Sequence, residues 1–200
     1  MAGILSEQFC PDTFYDGRRY RTNAAYDIVL MLQRMYKDKD MSDMDRLTLA
    51  LENLAGNPYI GKPVGWRSGL LQVIVASQIE LPSGPVSGRQ SKQRLVDFEL
   101  DGEHIFASFY QDYGIDLLAE QGHLHWKKFI WLFRGLSDKT PIKEIMRIRD
   151  MDLPEPTKHN RKQIQRIMEQ KSYYALPVEG GGGQEGLNRL FTALERMATR

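Results

Sequence analysis

Apolar positions along the chain recur mostly at intervals of three and four, the spacing that places side chains on one face of a helix. Ala25, Ile28, Val29, Leu32 and Met35 form one such series and predict a helix to about Lys37, capped by Thr22 or Asn23. Ser42 caps a second predicted helix, with Met44, Leu47, Leu51 and Leu54 as its buried stripe and Gly56-Asn57-Pro58 as its end. The stretch GLLQVIVASQIEL, residues 69–81, is rich in β-branched side chains, yet apolar positions 70, 71, 74, 75 and 78/79 fit a third helix better. Ahead of these, Phe14, Tyr15 and Tyr20 flank Asp16-Gly17, a pair that supplies the positive φ of a two-residue turn. A short hairpin is predicted there.

Periodicity lapses over residues 82–93, where Pro, Gly and Ser collect, and a flexible linker is expected. Beyond it Asp97 is a plausible N-cap, and Phe98, Ile105, Phe109 and Tyr113 share one face until Gly114 stops the helix. LLAEQGHLHWKKFIWLF, residues 117–133, supplies the next helix, from about His123 to Arg134. On its wheel Trp126, Phe129, Ile130 and Phe133 form one stripe, and Trp131 points away from it beside Leu124, Lys127 and Lys128. Thr140-Pro141 opens PIKEIMRIRD with a cap and a proline at the first helical position. A basic helix follows near residues 158–172, with Ile164, Ile167 and Met168 turned inward. Four glycines at 180–183 form a tether, after which Leu187, Leu190, Phe191, Leu194 and Met197 make the stripe of a final amphipathic helix.

These patterns predict a mainly α fold, a multi-helix globular bundle with a short N-terminal β-hairpin and a tethered C-terminal amphipathic helix. The expected division is 1–81 hairpin plus helical subdomain, 82–93 linker, 94–176 C-terminal helical subdomain, 177–186 Gly-rich tether and 187–200 amphipathic helix.

Composition and charge narrow the function. With 42% hydrophobic and 10% aromatic residues the chain can bury a core, and a formal net charge of +1 gives no chain-wide attraction to nucleic acid or anionic membranes. The longest apolar run, residues 69–79, is broken by Gln72, Ser77 and Gln78, so no membrane span is expected. The N-terminus lacks the basic and apolar segments of a signal peptide, and Cys10 is the sole cysteine.

His123 and His125 invite a metal reading, with His104, Asp112 and Asp116 as conceivable further ligands. Residues two apart on a helix project about 200° apart, and the alternative is that His125 caps or borders the core. Asp97, Glu99, Asp101 and Glu103 resemble an acidic cluster, but acids at a helix start are what its positive end favours. Lys158, Arg161, Lys162 and Arg166 could hold phosphates, yet no aromatic residues interleave with them, and a solvated helix face is the preferred reading. No phosphate loop, HExxH or GxSxG is present. No catalytic residue, cofactor or metal is therefore expected, and nucleic acid is not expected as a partner.

DFELDGEHIFASFYQDYGIDL, then LHWKKFIWLFRGL, then KEIMRIRDMDLP, resembles the bacteriophage gene product 15 family of long-tailed phages and prophages of Gram-positive bacteria. The likeness is strongest from Asp97 to Pro154 and extends to YDGRRYRTNAAYDIVLMLQRM and the helix after it. Its motif residues here are Asp97, Phe98, Glu99, Asp101, Tyr113, Gly114, Asp116, His125, Trp126 and Phe129. One departure is that the family's second tryptophan position is Lys127 here, with a tryptophan at Trp131 one turn on. Genes of the family usually precede the tape-measure gene. The resemblance therefore implies a tail assembly chaperone in the host cytoplasm that covers the tape-measure protein while tail-tube subunits polymerise, with self-association as a further possibility. Leu124, Trp131, Leu187, Leu190, Phe191, Leu194 and Met197 are the expected partner-binding residues. The rival readings are a structural tail or connector component and, behind it, a metal-dependent enzyme.

Overall fold

A computed structural model of the protein describes residues 10–81, 94–155 and 160–177. The predicted linker, glycine tether and C-terminal helix lie outside these residues, as does Lys158. The described residues hold two short strands and seven α-helices, a mainly α fold with an N-terminal hairpin, as the periodicity predicts. They form two compact units, one comprising residues 10–81 with Gln121–Ile130, the other residues 94–120 with 131–155 and 160–177.

In the first unit, strands β1 (Asp12–Tyr15) and β2 (Arg18–Arg21) pair antiparallel in the register Asp12↔Arg21 to Tyr15↔Arg18. Asp16 and Gly17 both take positive φ, 50° and 68°, as the two-residue turn requires. Helix α1 (Tyr26–Lys37) buries Tyr26, Val29, Leu32 and Met35. Neither Thr22 nor Asn23 caps it. Ala25 occupies the cap position without a side-chain bond, because the Thr22 hydroxyl is drawn to the Pro11 carbonyl and Asn23 Oδ1 accepts from Ala25 N at 3.2 Å. Helix α2 (Asp43–Ala55) is capped as expected, Ser42 Oγ accepting from Asp45 N at 3.1 Å, and ends at Gly56 with φ 72°. Leu47, Leu51 and Leu54 are buried, but Met44 is 44% exposed, because its first-turn position precedes the packed length of the helix.

Helix α3 (Val64–Ile74) starts well before the apolar run, after Pro63, and continues into a single π turn at Val75–Ile79. Gly69 within it leaves room for the hydroxyl end of Tyr15, which a Cβ there would displace and whose ring is edge-on to Trp66 at 5.3 Å. Lys127 Nζ donates to the Ser77 carbonyl at 2.6 Å inside the π turn, placing an ammonium against the negative end of the α3 segment. Lys127 is thus a cation with a defined acceptor.

In the second unit Asp97 opens a separate turn rather than the helix itself. Asp97 Oδ1 accepts from the amides of Glu99 and Leu100, at 2.8 and 3.1 Å, and helix α4 (Gly102–Tyr113) begins only after Asp101. Gly114 ends α4 in the left-handed conformation, φ 65°, as predicted. Ile105 and Phe109 are buried, whereas Phe98 lies before the helix and Tyr113 is 36% exposed. Helix α6 (Pro141–Asp150) starts at the predicted proline, but the Thr140 side chain accepts no hydrogen bond as a cap. The Thr140 hydroxyl bonds the Ser137 carbonyl, and the Ile142 amide is satisfied by Ser108 Oγ of α4 at 3.1 Å. Helix α7 (Arg161–Tyr173) half-buries Ile164 and Ile167, while Met168 stays 54% exposed because nothing among the described residues covers its face.

Helix α5 (Trp126–Gly135) is shorter at its start than predicted, because residues 117–124 form turns ahead of it. Trp126 to Ile130 belong to the first unit and Trp131 to Gly135 to the second. The predicted stripe holds: Trp126, Phe129, Ile130 and Phe133 are all buried.

Candidate functional site

The GHLHW segment is positioned by backbone pairing before any side chain acts. Tyr26 N donates to Leu124 O at 2.9 Å and Trp126 N to Ala24 O at 2.8 Å, making an isolated antiparallel bridge between Ala25 and His125. Gly122 N is held by Asp27 Oδ1 at 2.9 Å. These bonds fix the entrance of α5, so that Phe129 stacks on Tyr26 at 4.8 Å and on Trp126 at 5.7 Å.

His125 is buried and caps α5: its Nδ1 accepts from Lys127 N at 3.2 Å, and its carbonyl accepts from Phe129 N. Burial, followed by the charges of Lys127 and Lys128, pushes its pKa down to about 4. An imidazolium would also turn the accepting Nδ1 into a donor facing the Lys127 amide. The imidazole is therefore a neutral structural cap at pH 7. His123 is exposed, its Nδ1 against the Gln121 carbonyl at 2.8 Å.

The other conceivable metal ligands are engaged in the second unit. His104 lies edge-on to Tyr174, Asp112 accepts from the Ser137 amide and hydroxyl, and Asp116 Oδ1 accepts from Leu118 N and Ala119 N. Among the described residues no three His, Cys, Asp or Glu side chains converge as a metal site requires.

The acidic segment owes its arrangement to a residue that sequence reasoning missed. Asp101 is buried in a bidentate ion pair with Arg149 of α6, Nη1 to Oδ2 at 2.7 Å and Nη2 to Oδ1 at 2.8 Å. Arg149 also donates to Leu95 O at 2.9 Å and to Tyr174 O at 2.7 Å, and Asp101 Oδ2 accepts from Asp97 N at 2.9 Å. Arg94 pairs with Asp97. One guanidinium thus ties the segment before α4, the start of α4, the end of α6 and the residue after α7. A buried charge pair needs this many bonds to offset desolvation. The available signal was positional: Ile142, Ile145, Ile148 and Arg149 share the inward face of α6, and a charge on an inward face implies a buried partner.

The comparisons with known proteins bear on these motifs directly. The profile of the family described as Bacteriophage Gp15 protein matches residues 5–176, most of the chain. The chain belongs to the bacteriophage Gp15 family. No curated protein and no solved structure matches it. The residues read as Gp15 motifs have structural employment here. Asp97 and Asp101 organise the turn, Gly114 ends α4, Asp116 caps the next turn, and His125, Trp126 and Phe129 build the entrance and core of α5. Phe98 meets Phe133 edge-on at 5.3 Å, Tyr113 Oη donates to Leu132 O at 3.0 Å, and Glu99 is exposed.

Of the expected partner-binding residues, Leu124 lies in the first unit and Trp131 in the second, each half-buried, and Leu187, Leu190, Phe191, Leu194 and Met197 lie outside the described residues. Exposed apolar side chains are present elsewhere. In the second unit Tyr110 is stacked on Phe106 along α4 and 60% exposed, and Leu118 is 66% exposed. On the basic helix Arg161, Lys162 and Arg166 face solvent. None of the described helices is long and apolar enough to cross a membrane.

Proposed function

We propose that this Gp15 protein acts by binding rather than catalysis, as a tail assembly chaperone in the host cytoplasm that shields the tape-measure protein until tail-tube subunits displace it. Membership of the Gp15 family over residues 5–176 is the observation that carries this reading. The employment of Asp97, Asp101, Asp116 and His125 in caps and an ion pair supports it too, since it leaves these motif residues with a scaffold role. Exposed apolar side chains, Tyr110 on α4 and Leu118 in the turns before α5, suit a protein that covers apolar helices of another chain. Leu124 and Trp131, and on sequence pattern alone the stripe Leu187, Leu190, Phe191, Leu194 and Met197, are the residues assigned to the partner.

Co-expression with the tape-measure protein tests the proposal. The chaperone reading expects the partner to be soluble and to co-purify, and expects Leu190→Glu with Phe191→Glu, or Trp131→Ala, to reduce recovery. Unchanged recovery in all of these variants removes those residues from the interface, and an insoluble partner removes the function. Mass spectrometry of purified particles decides against a chaperone if the protein is present at fixed copy number, as a tail or connector component would be.

A further inference from the structure

An antiparallel hairpin alternates between residue pairs that exchange both backbone hydrogen bonds and pairs whose N–H and C=O groups point outward. With a two-residue turn the closing pair is hydrogen-bonded, here Tyr15 with Arg18, and Thr13 with Tyr20 is the next such pair. The backbone groups of Asp12 and Phe14 on β1, and of Arg19 and Arg21 on β2, therefore point away from the hairpin. The two edges differ in what meets them. β1 lies against α3 and its π turn, where Gln78 Nε2 donates to Asp12 O at 3.2 Å and Thr13 Oγ1 meets Ser77 Oγ at 3.2 Å. Along β2, Arg18, Arg19 and Arg21 are exposed, and the outward backbone groups of Arg19 and Arg21 have no hydrogen-bond partner among the described residues. We propose that the free edge of β2 accepts an acidic β-strand of a partner protein, which adds to the hairpin as its third strand.

Backbone and side chains of β2 select this occupant separately. Arg19 and Arg21 each offer an outward N–H and an outward C=O, and another extended backbone matches both kinds of group at the strand repeat. Phosphates of a nucleic acid accept hydrogen bonds but donate none, so they would leave those carbonyls unmatched. Arg18 and Arg21, three residues apart on a strand, project to opposite faces. Neither guanidinium has a carboxylate partner among the described residues, whereas Arg19 Nε is held by Asp12 at 2.5 Å. A strand with acids three positions apart places one beside each, and facing opposite charges stabilise a strand pair. Charged side chains guard an edge against indiscriminate pairing, and the sign of these decides what passes. A second copy of RRYR would bring arginines against arginines. The edge is separate from the residues assigned above to the tape-measure protein, and does not depend on that assignment.

Fluorescence anisotropy with the full chain tests it, using a labelled peptide of Glu-Val-Thr-Glu repeats, its Gln counterpart, a fully N-methylated counterpart and a single-stranded oligonucleotide. N-methylation keeps the charge and removes every backbone donor. The acidic peptide is expected to bind at least about tenfold more tightly than either the Gln or the N-methylated peptide, and Arg18→Glu with Arg21→Glu to weaken it by about tenfold or more. Amide exchange at Arg19 and Arg21 should slow when the acidic peptide is added. Arg161→Glu, an exposed arginine of α7, should leave binding nearly unchanged, and thermal unfolding of each variant separates lost binding from lost fold. Absence of binding up to about 1 mM peptide, equal affinity for the Gln or N-methylated peptide, or tighter binding of the oligonucleotide would each overturn the proposal. Insensitivity of a folded Arg18→Glu with Arg21→Glu variant would do so too, as would self-association of the chain that this variant abolishes.

Discussion

Arg149 occupies a place on α6 where the helical period puts an apolar residue, and its guanidinium makes four hydrogen bonds there, two of them to Asp101. Removing one member strands the other charge in the interior. Arg149→Met is therefore expected to destabilise the protein by about 3–5 kcal/mol, and Asp101→Leu with Arg149→Met to recover much of that loss. Urea unfolding of the wild type, both single variants and the double variant measures the coupling, and additive losses would show that the pair is not a unit. At this scale the sequence was legible where chemistry is local. The Asp16-Gly17 turn, the Ser42 cap and the Gly114 stop depend on neighbours within a few residues. Asp101 was read as a first-turn acid because its partner is 48 residues away, and spacing in sequence carries no sign of that pairing. Thr22 and Thr140 fail as side-chain caps for a different reason: carbonyls of Pro11 and Ser137 compete for their hydroxyls, the second of them only three residues away.

Among elements, periodicity located every described helix, and errors gathered at their starts. Helix α3 begins at Val64 through a segment with little apolar period, and α5 begins late because GHLH is fixed by a backbone bridge to Ala24–Tyr26. Pro63 precedes the first, and tertiary backbone hydrogen bonds set the second without leaving a periodic trace. The α5 stripe itself yields a graded prediction. Phe129, 1% exposed and stacked between Tyr26 and Trp126, should cost about 3–5 kcal/mol as Phe129→Ala. Trp131, only half-buried on the same helix, should cost clearly less as Trp131→Ala. Thermal denaturation monitored by circular dichroism compares them, and equal losses would mean that the wheel misplaces Trp131.

For the whole molecule, the histidine that invited a metal reading instead predicts a pH response. A neutral cap with its pKa pushed down to about 4, against 6.5 for the free side chain, binds its proton less readily folded than unfolded. Between those values the unfolded chain carries the extra proton, so stability rises with pH. The contribution is fully present above about pH 6.5 and is lost as pH falls toward 4, amounting to about 2–3 kcal/mol. Unfolding free energies measured at intervals from pH 7.5 to 4 should show this decline, and His125→Gln should flatten it across that window. Gln is suited to the test because its side-chain oxygen can still accept from an amide without titrating. If the variant keeps the full slope, other groups set the acid response, and His125 is then a cap whose charge state has little bearing on folding. A slope that disappears together with most of the stability at pH 7.5 would instead identify loss of the cap itself. The acid-sensitive cap and the aromatic stripe behind it would then be one device: the imidazole must stay uncharged for α5 to start where its tryptophan and phenylalanine can pack.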